Sequence, residues 1–218
     1  MFGDLGAVAY ETATLGDIDM LLPAEREQLS GVSGRRLGHF AAGRSCARAA
    51  LSALGIAAVP LLRRDDRRPD WPPGAEGSIS HTDGLCVAVA ARTSDLAGRR
   101  IGIDVERCGR VRPELYTRLF TRREIGLLER LSTTDRSRQA AIGFSAKEAF
   151  YKAQYPLTGA WVGFTDVELE VTPDGVYAHR VTDLDALDRV QWPVRVGIDV
   201  RPGLVIAAVV AEPAGGHR

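Results

Sequence analysis

Residues 101–106 read Ile-Gly-Ile-Asp-Val-Glu, and how this stretch folds decides the rest. The apolar run Ile101–Ile103 leads into Asp104-Val105-Glu106. In a strand, residues i and i+2 share a face, so both carboxylates project together at the strand end while Val105 faces the core. Two carboxylates at close range repel unless a cation or proton lies between them. Hard oxygen donors of this kind suit Mg²⁺, which binds one or two protein carboxylates together with phosphate and water. The alternative is a solvated strand end with Glu106 paired to Arg107 or Arg110.

Working towards the N-terminus, LCVAVAA (85–91) reads as a buried strand after GSISH (77–81) and the turn TDG. A turn at Ser94–Arg100 then separates two apolar runs, which predicts adjacent strands. Residues 63–77, rich in Arg, Asp, Pro and Gly, predict a loop. Residues 34–54 predict a helix on which Leu37, Phe40, Ala47, Leu51 and Leu54 recur at helical spacing, ended by Gly55. Arg44 falls on the same stripe, where it needs a partner or an anion, or else reaches solvent from the stripe's edge. Pro23 opens a short helix over 23–30.

Towards the C-terminus, residues 113–131 predict one helix, and residues 137–154 another that Pro156 stops. Strands follow in WVGFTDVELEV (161–171), GVYAHRV (175–181), VRVGIDV (194–200) and LVIAAVVA (204–211). The pair GLCVAVAA and IGIDV is echoed by GLVIAAVVA and VGIDV, which suggests a duplicated half.

The 218 residues carry 45% hydrophobic and 26% charged side chains and a formal net charge of +0. That balance disfavours a whole-chain attraction to nucleic acid or a membrane. Three scattered cysteines, Cys46, Cys86 and Cys108, make neither a C-x-x-C pair nor a zinc spacing, and read as reduced thiols of a cytoplasmic protein. No signal peptide and no run of about 18 apolar residues is seen.

Two further constellations carry chemistry. In Phe144–Ala153 (FSAKEAFYKA), Glu148 and Lys152 lie one helical turn apart on one face. That is an ordinary i,i+4 pair on a solvated helix, but Phe144, Phe150 and Tyr151 imply that this helix is half buried, where idle charges are costly. Ser80-His81, adjacent on a strand, point to opposite faces, which argues against a nucleophile–base pair; both can bind an anion.

Taken in order, GRSCARAAL, RRPDWPPGAEGSISHTDG, IGIDVE and FSAKEAFYKA resemble the 4′-phosphopantetheinyl transferases of the Sfp type, in their enterobactin-synthetase-associated subgroup. The hallmark is G-[IV]-D-x-E followed some 40 residues later by [WF]-[SA]-x-K-E-[AS]-x-x-K, met here by Gly102–Glu106 and Phe144–Lys152. The resemblance covers residues 20–155.

It implies an α/β (α+β) fold of two pseudo-symmetric halves, 1–108 and 109–218, each a small, mainly antiparallel sheet packed on helices. It implies a monomeric enzyme that moves the phosphopantetheine arm of coenzyme A to a serine of an apo acyl or peptidyl carrier protein, releasing adenosine 3′,5′-bisphosphate. Asp104, Glu106 and Glu148 would ligate Mg²⁺ (or Mn²⁺), Glu148 would take the serine proton, and Lys152 would neutralise the diphosphate. Arg44 and His81 would bind the 3′-phosphate, Ser80 the diphosphate, and Arg36 and Arg67 the nucleotide, with Arg35, Arg64 and Arg68 as rivals. Lys147 is a motif lysine placed among the coenzyme A contacts, and Glu124 in F-T-R-R-E matches a glutamate near the active site. An acidic carrier helix would meet Tyr116, Leu119 and Phe120 among Arg112, Arg118, Arg122 and Arg123, the alternative being a solvated helix with a core stripe. Which carrier is served, from fatty acid, polyketide or nonribosomal peptide assembly, stays open.

Overall fold

Strand formation follows where branched and small apolar residues alternate or run together, and glycines close the turns between them. The computed structural model describes residues 8–12, 15–29 and 34–215. They form two compact units that divide between Ala97 and Gly98.

In the first unit, β1 (Val8–Thr12), β2 (Ala75–Thr82) and β3 (Leu85–Arg92) make an antiparallel sheet of order β1-β3-β2. The β2–β3 hairpin turns through Asp83-Gly84, and Gly84 takes φ +83°, a left-handed value that costs a glycine little. Helix α1 (Pro23–Glu27) precedes α2 (Gly34–Ala53), which packs on this sheet. The packed face of α2 is built from small residues, Ala42, Cys46, Ala47 and Ala50, with Leu51 filling the centre. Small side chains let helix and sheet approach closely: a Cβ on Gly43 would lie 3.1 Å from Ile79. Glu25 of α1 is fully buried, and Arg48 of α2 donates to both its oxygens at 2.7 and 2.8 Å. The amides of Leu22 and Leu61 fill its remaining acceptor sites. The unit ends with a single turn, α3 (Thr93–Leu96).

The second unit holds a five-stranded antiparallel sheet of order β4-β8-β7-β6-β5, from β4 (Arg100–Arg107), β5 (Val167–Thr172), β6 (Gly175–Arg180), β7 (Val194–Arg201) and β8 (Leu204–Ala211). The long α6 (Thr133–Thr158) lies on one face of it. Ala149, Phe150 and Ala153 of the helix pack with Val194, Val196, Ala207 and Val209 of the sheet. Each large apolar side chain so buried contributes about 1.5–3 kcal/mol. Before α6 come the short α4 (Tyr116–Leu119) and α5 (Arg122–Glu129).

Several expectations need correction. The strands LCVAVAA and IGIDVE are not neighbours: β3 belongs to the first sheet and β4 to the second, where it pairs with β8. The division therefore falls before β4, not after residue 108. The IGIDV and VGIDV copies also lie in one sheet, flanking β8 on either side. The single helix expected at 113–131 breaks at Phe120-Thr121. Thr121 accepts from the Glu124 amide while the Glu124 carboxylate accepts from the Thr121 amide, a capping box that starts a new helix. Pro156 does not stop α6; the helix runs on to Thr158 and ends where Gly159 takes φ +66°. A proline forfeits one backbone bond, and Gly159 still donates to Tyr155 O at 2.8 Å. Residues 161–166 are a loop and a 3₁₀ turn, so the strand begins at Val167.

Candidate active site

Asp104 and Glu106 leave the same face of β4, the face on which α6 lies, and Val105 between them is fully buried. The approach of helix to strand is set at Gly102, where a Cβ would stand 2.0 Å from Ala149 O. Only hydrogen fits there. One turn along α6 from Glu148, Lys152 Nζ donates to Asp104 Oδ1 at 2.7 Å and to Ile103 O at 3.1 Å. Helix and strand thus present two acids from one side and an acid and an ammonium from the other.

The electrostatics show how close these groups are. Burial, and after it the Asp104 carboxylate, pushes the Glu106 carboxyl up to about 7, with Arg110 and Lys152 opposing. Burial also raises Glu148; Lys152 opposes and Asp104 adds to the rise. Glu106 Oε2 is buried and makes no hydrogen bond among the described residues. A buried carboxylate oxygen without a donor is costly, and a cation would satisfy it. Among the described residues no three such side chains are drawn together tightly enough to hold a metal ion as they stand. The donor set, three carboxylates with an unmet oxygen on Glu106 and with Glu106 and Glu148 both raised by burial, nonetheless has the chemistry of a hard-cation site.

Lys147 is a different case. Expected among coenzyme A contacts, it is only 2% exposed and its three ammonium protons are spent on Leu119 O, Glu124 Oε2 and Phe164 O, at 3.1, 2.6 and 2.8 Å. No proton is left for a phosphate. Glu124, at 8% exposure, is likewise committed to Lys147, Thr121 N and Leu169 N.

The first unit holds the other predicted residues. Arg44 is buried, its Nε donating to Leu61 O at 2.6 Å and its guanidinium 4.3 Å from the Phe40 ring centroid. Its remaining nitrogens make no hydrogen bond among the described residues, and burial lowers it to about 10. Ser80 is buried and His81 exposed, on opposite faces of β2. The His81 ring lies 4.4 Å from that of His39, and both line a small pocket with Leu15, Ala42 and Thr82. His39 was not singled out from the sequence, because its pairing with His81 joins residues 42 positions apart.

The rival arginines separate cleanly. Arg35 pairs with Asp83, Arg64 with Asp70 and Arg68 with Asp66. Arg36 and Arg67 are exposed and pair with no acid among the described residues. On the segment before α6, Tyr116, Leu119 and Phe120 turn inward to a core with Val111 and Leu128, so they offer no docking surface. Arg112, Arg118, Arg122 and Arg123 are exposed, with Arg123 held by Glu168 at 3.0 Å; the exposed apolar side chains beside them are Leu115 and Leu127.

Comparison with known proteins agrees with this division. Residues 24–91 match the 4′-phosphopantetheinyl transferase N-terminal domain, and residues 100–209 match the 4′-phosphopantetheinyl transferase superfamily. The chain is 36% identical to 4′-phosphopantetheinyl transferase Svp of Streptomyces mobaraensis, over 95% of this chain and 85% of that one. It is 35% identical to 4′-phosphopantetheinyl transferase PptT of Mycobacterium tuberculosis over 70% and 66%. It is 31% identical to enterobactin synthase component D of Escherichia coli K12, over 86% of each. No described helix is long and apolar enough to cross a membrane. With acids and lysine on β4 and α6, and with both family matches falling on the two units, the chain belongs to the 4′-phosphopantetheinyl transferase superfamily, enzymes that transfer phosphopantetheine from coenzyme A to a carrier protein.

Proposed function

We propose that this enzyme joins the phosphopantetheine phosphorus of coenzyme A to a serine hydroxyl of an apo acyl or peptidyl carrier protein, with Mg²⁺ or Mn²⁺, and releases adenosine 3′,5′-bisphosphate. The observation that carries the reading is the convergence of Asp104, Glu106, Glu148 and Lys152 on one face of β4. Transfer of this kind is mainly positioning and charge neutralisation. The new bond is serine Oγ to phosphorus, and the bond that breaks is the diphosphate P–O bond to the nucleotide.

Glu148, with its proton affinity raised by burial, accepts the serine proton; a general base of this sort contributes typically 10²–10⁴-fold. Lys152 places positive charge by the departing phosphate. Asp104, Glu106 and Glu148 would hold the divalent ion, which when bound supplies charge neutralisation at the diphosphate oxygens. In the first unit, Arg44 and His81 are the proposed 3′-phosphate ligands, Ser80 a diphosphate ligand, and Arg36 and Arg67 the nucleotide's outer cations. Arginine's planar fork suits phosphate bidentately. Arg112, Arg118 and Arg122, with Leu115 and Leu127, are the proposed surface for an acidic carrier helix. The protein is taken to act as a cytoplasmic monomer.

Incubation with coenzyme A, Mg²⁺ and an apo carrier should give a carrier heavier by one phosphopantetheine in intact-mass analysis, and chelation with EDTA should stop it. Nucleotide released from coenzyme A without any carrier would instead indicate a phosphohydrolase.

A further inference from the structure

The Lys147–Glu124 pair is the most enclosed ion pair of the second unit, and the chemistry proposed above gives it nothing to do. Four segments besides α6 meet at it. Lys147 donates to Leu119 O at the end of α4, to Glu124 near the start of α5, and to Phe164 O in the turn before β5. Glu124 in turn accepts from the amides of Thr121 and of Leu169 on β5. A lysine that gives each of its three protons to a different, internally braced acceptor has one geometry available.

That geometry bears on the residue next to it. Consecutive helical residues are about 100° apart around the axis, so fixing the direction of Lys147 fixes the direction of Glu148. The opposite flank of α6 is held separately: Lys152 bonds to Asp104 and Ile103, and Ala149 O lies against Gly102. An apolar pair of similar volume would fill the same space yet leave the helix free to roll, because apolar contact is not directional.

We propose that Glu124 and Lys147 are positioning residues: the buried pair locks the rotation of α6 about its own axis and so aims Glu148 at the reacting serine. This rests on Glu148 acting as the base. It reassigns the motif lysine from a coenzyme A ligand to a strut.

The test uses the full chain with three variants: Lys147→Met, Glu124→Gln and the two combined. The double variant leaves no lone buried charge and so keeps the fold if Lys147→Met alone does not. Glu124→Gln keeps one acceptor oxygen, for either the Thr121 or the Leu169 amide, and serves where the double variant fails to fold. The readouts are kcat with an apo carrier, the Kd for coenzyme A by calorimetry, and circular dichroism with thermal melting for the fold. Folded variants should lose at least tenfold in kcat with a coenzyme A Kd within about twofold of the parent. The two single losses should not multiply in the double variant, because the pair acts as one unit. A coenzyme A Kd raised tenfold with kcat retained would make Lys147 a ligand after all, and an unchanged kcat in a folded variant would make the pair purely structural; either overturns the proposal. Should the unmodified protein form no modified carrier, the proposed function itself fails, and that is seen in the same assay before any variant is compared.

Discussion

Lys152 touches the strand while Glu148, a turn earlier on the same helix, has no such anchor of its own among the described residues. The two residues should therefore respond differently to substitution. Glu148→Gln keeps the shape and removes the base, so kcat should fall by roughly 10²–10⁴-fold in a single-turnover transfer assay while the protein melts as before. Elsewhere a residue matters for stability alone. Arg48→Met would strand the fully buried Glu25 carboxylate without its cation, which costs about 3–5 kcal/mol and should show as a clear drop in Tm. Asp104, Glu106, Glu148 and Lys152 were legible from periodicity, since i,i+2 on a strand and i,i+4 on a helix each define a face. Glu25–Arg48 and His39–His81 were not, because no local pattern records which distant charges or rings the fold brings together. Lys147 was misread for the same reason: its neighbours in the motif say that it is buried, not what it is bonded to.

The break between α4 and α5 lets the Thr121–Glu124 box form, and that box brings Glu124 to Lys147. Thr121→Ala removes the hydroxyl cap on the Glu124 amide and a bond to Glu168, and should lower stability by about 1 kcal/mol in denaturant titration. The signature was present in F-T-R-R-E as threonine followed three residues later by glutamate, but the continuous leucine spacing on either side masked it. Helix α6 and strand β4 meet more severely. Gly102→Ala would drive a methyl into Ala149 O, and the two elements must part; a loss of about 1–3 kcal/mol or more is expected, together with transfer activity, because Asp104 and Lys152 separate as well.

Across the whole molecule, most strands and helices were legible from their periods and the two antiparallel sheets on helices from the family resemblance, whereas the boundary between the units was legible from neither. Residues 85–106 contain two strands divided by a short turn, and sequence adjacency cannot say that the second one joins a sheet completed a hundred residues later. The boundary matters chemically, since the three acids and Lys152 all fall in one unit and Arg36, Arg44, Arg67, Ser80 and His81 in the other. Arg44→Ala and His81→Ala should accordingly raise the KM for coenzyme A about tenfold or more at nearly constant kcat, the reverse of the Glu148→Gln pattern. The flanking of β8 by two Gly-Ile-Asp-Val strands has a consequence of its own. Asp104 stands opposite Ala207, but Asp199 stands opposite Ile206, one residue out of step, so the twin aspartates emerge on opposite sides of the sheet. Among the described residues Asp199 meets only its neighbour Arg201, at 2.8 Å. The chain thus carries a partial echo of its own signature, Gly-Ile-Asp-Val followed by Arg201 where the first copy has Glu106, and set on the other side of the sheet: Asp199→Asn should leave turnover untouched where Asp104→Asn abolishes it in the same transfer assay.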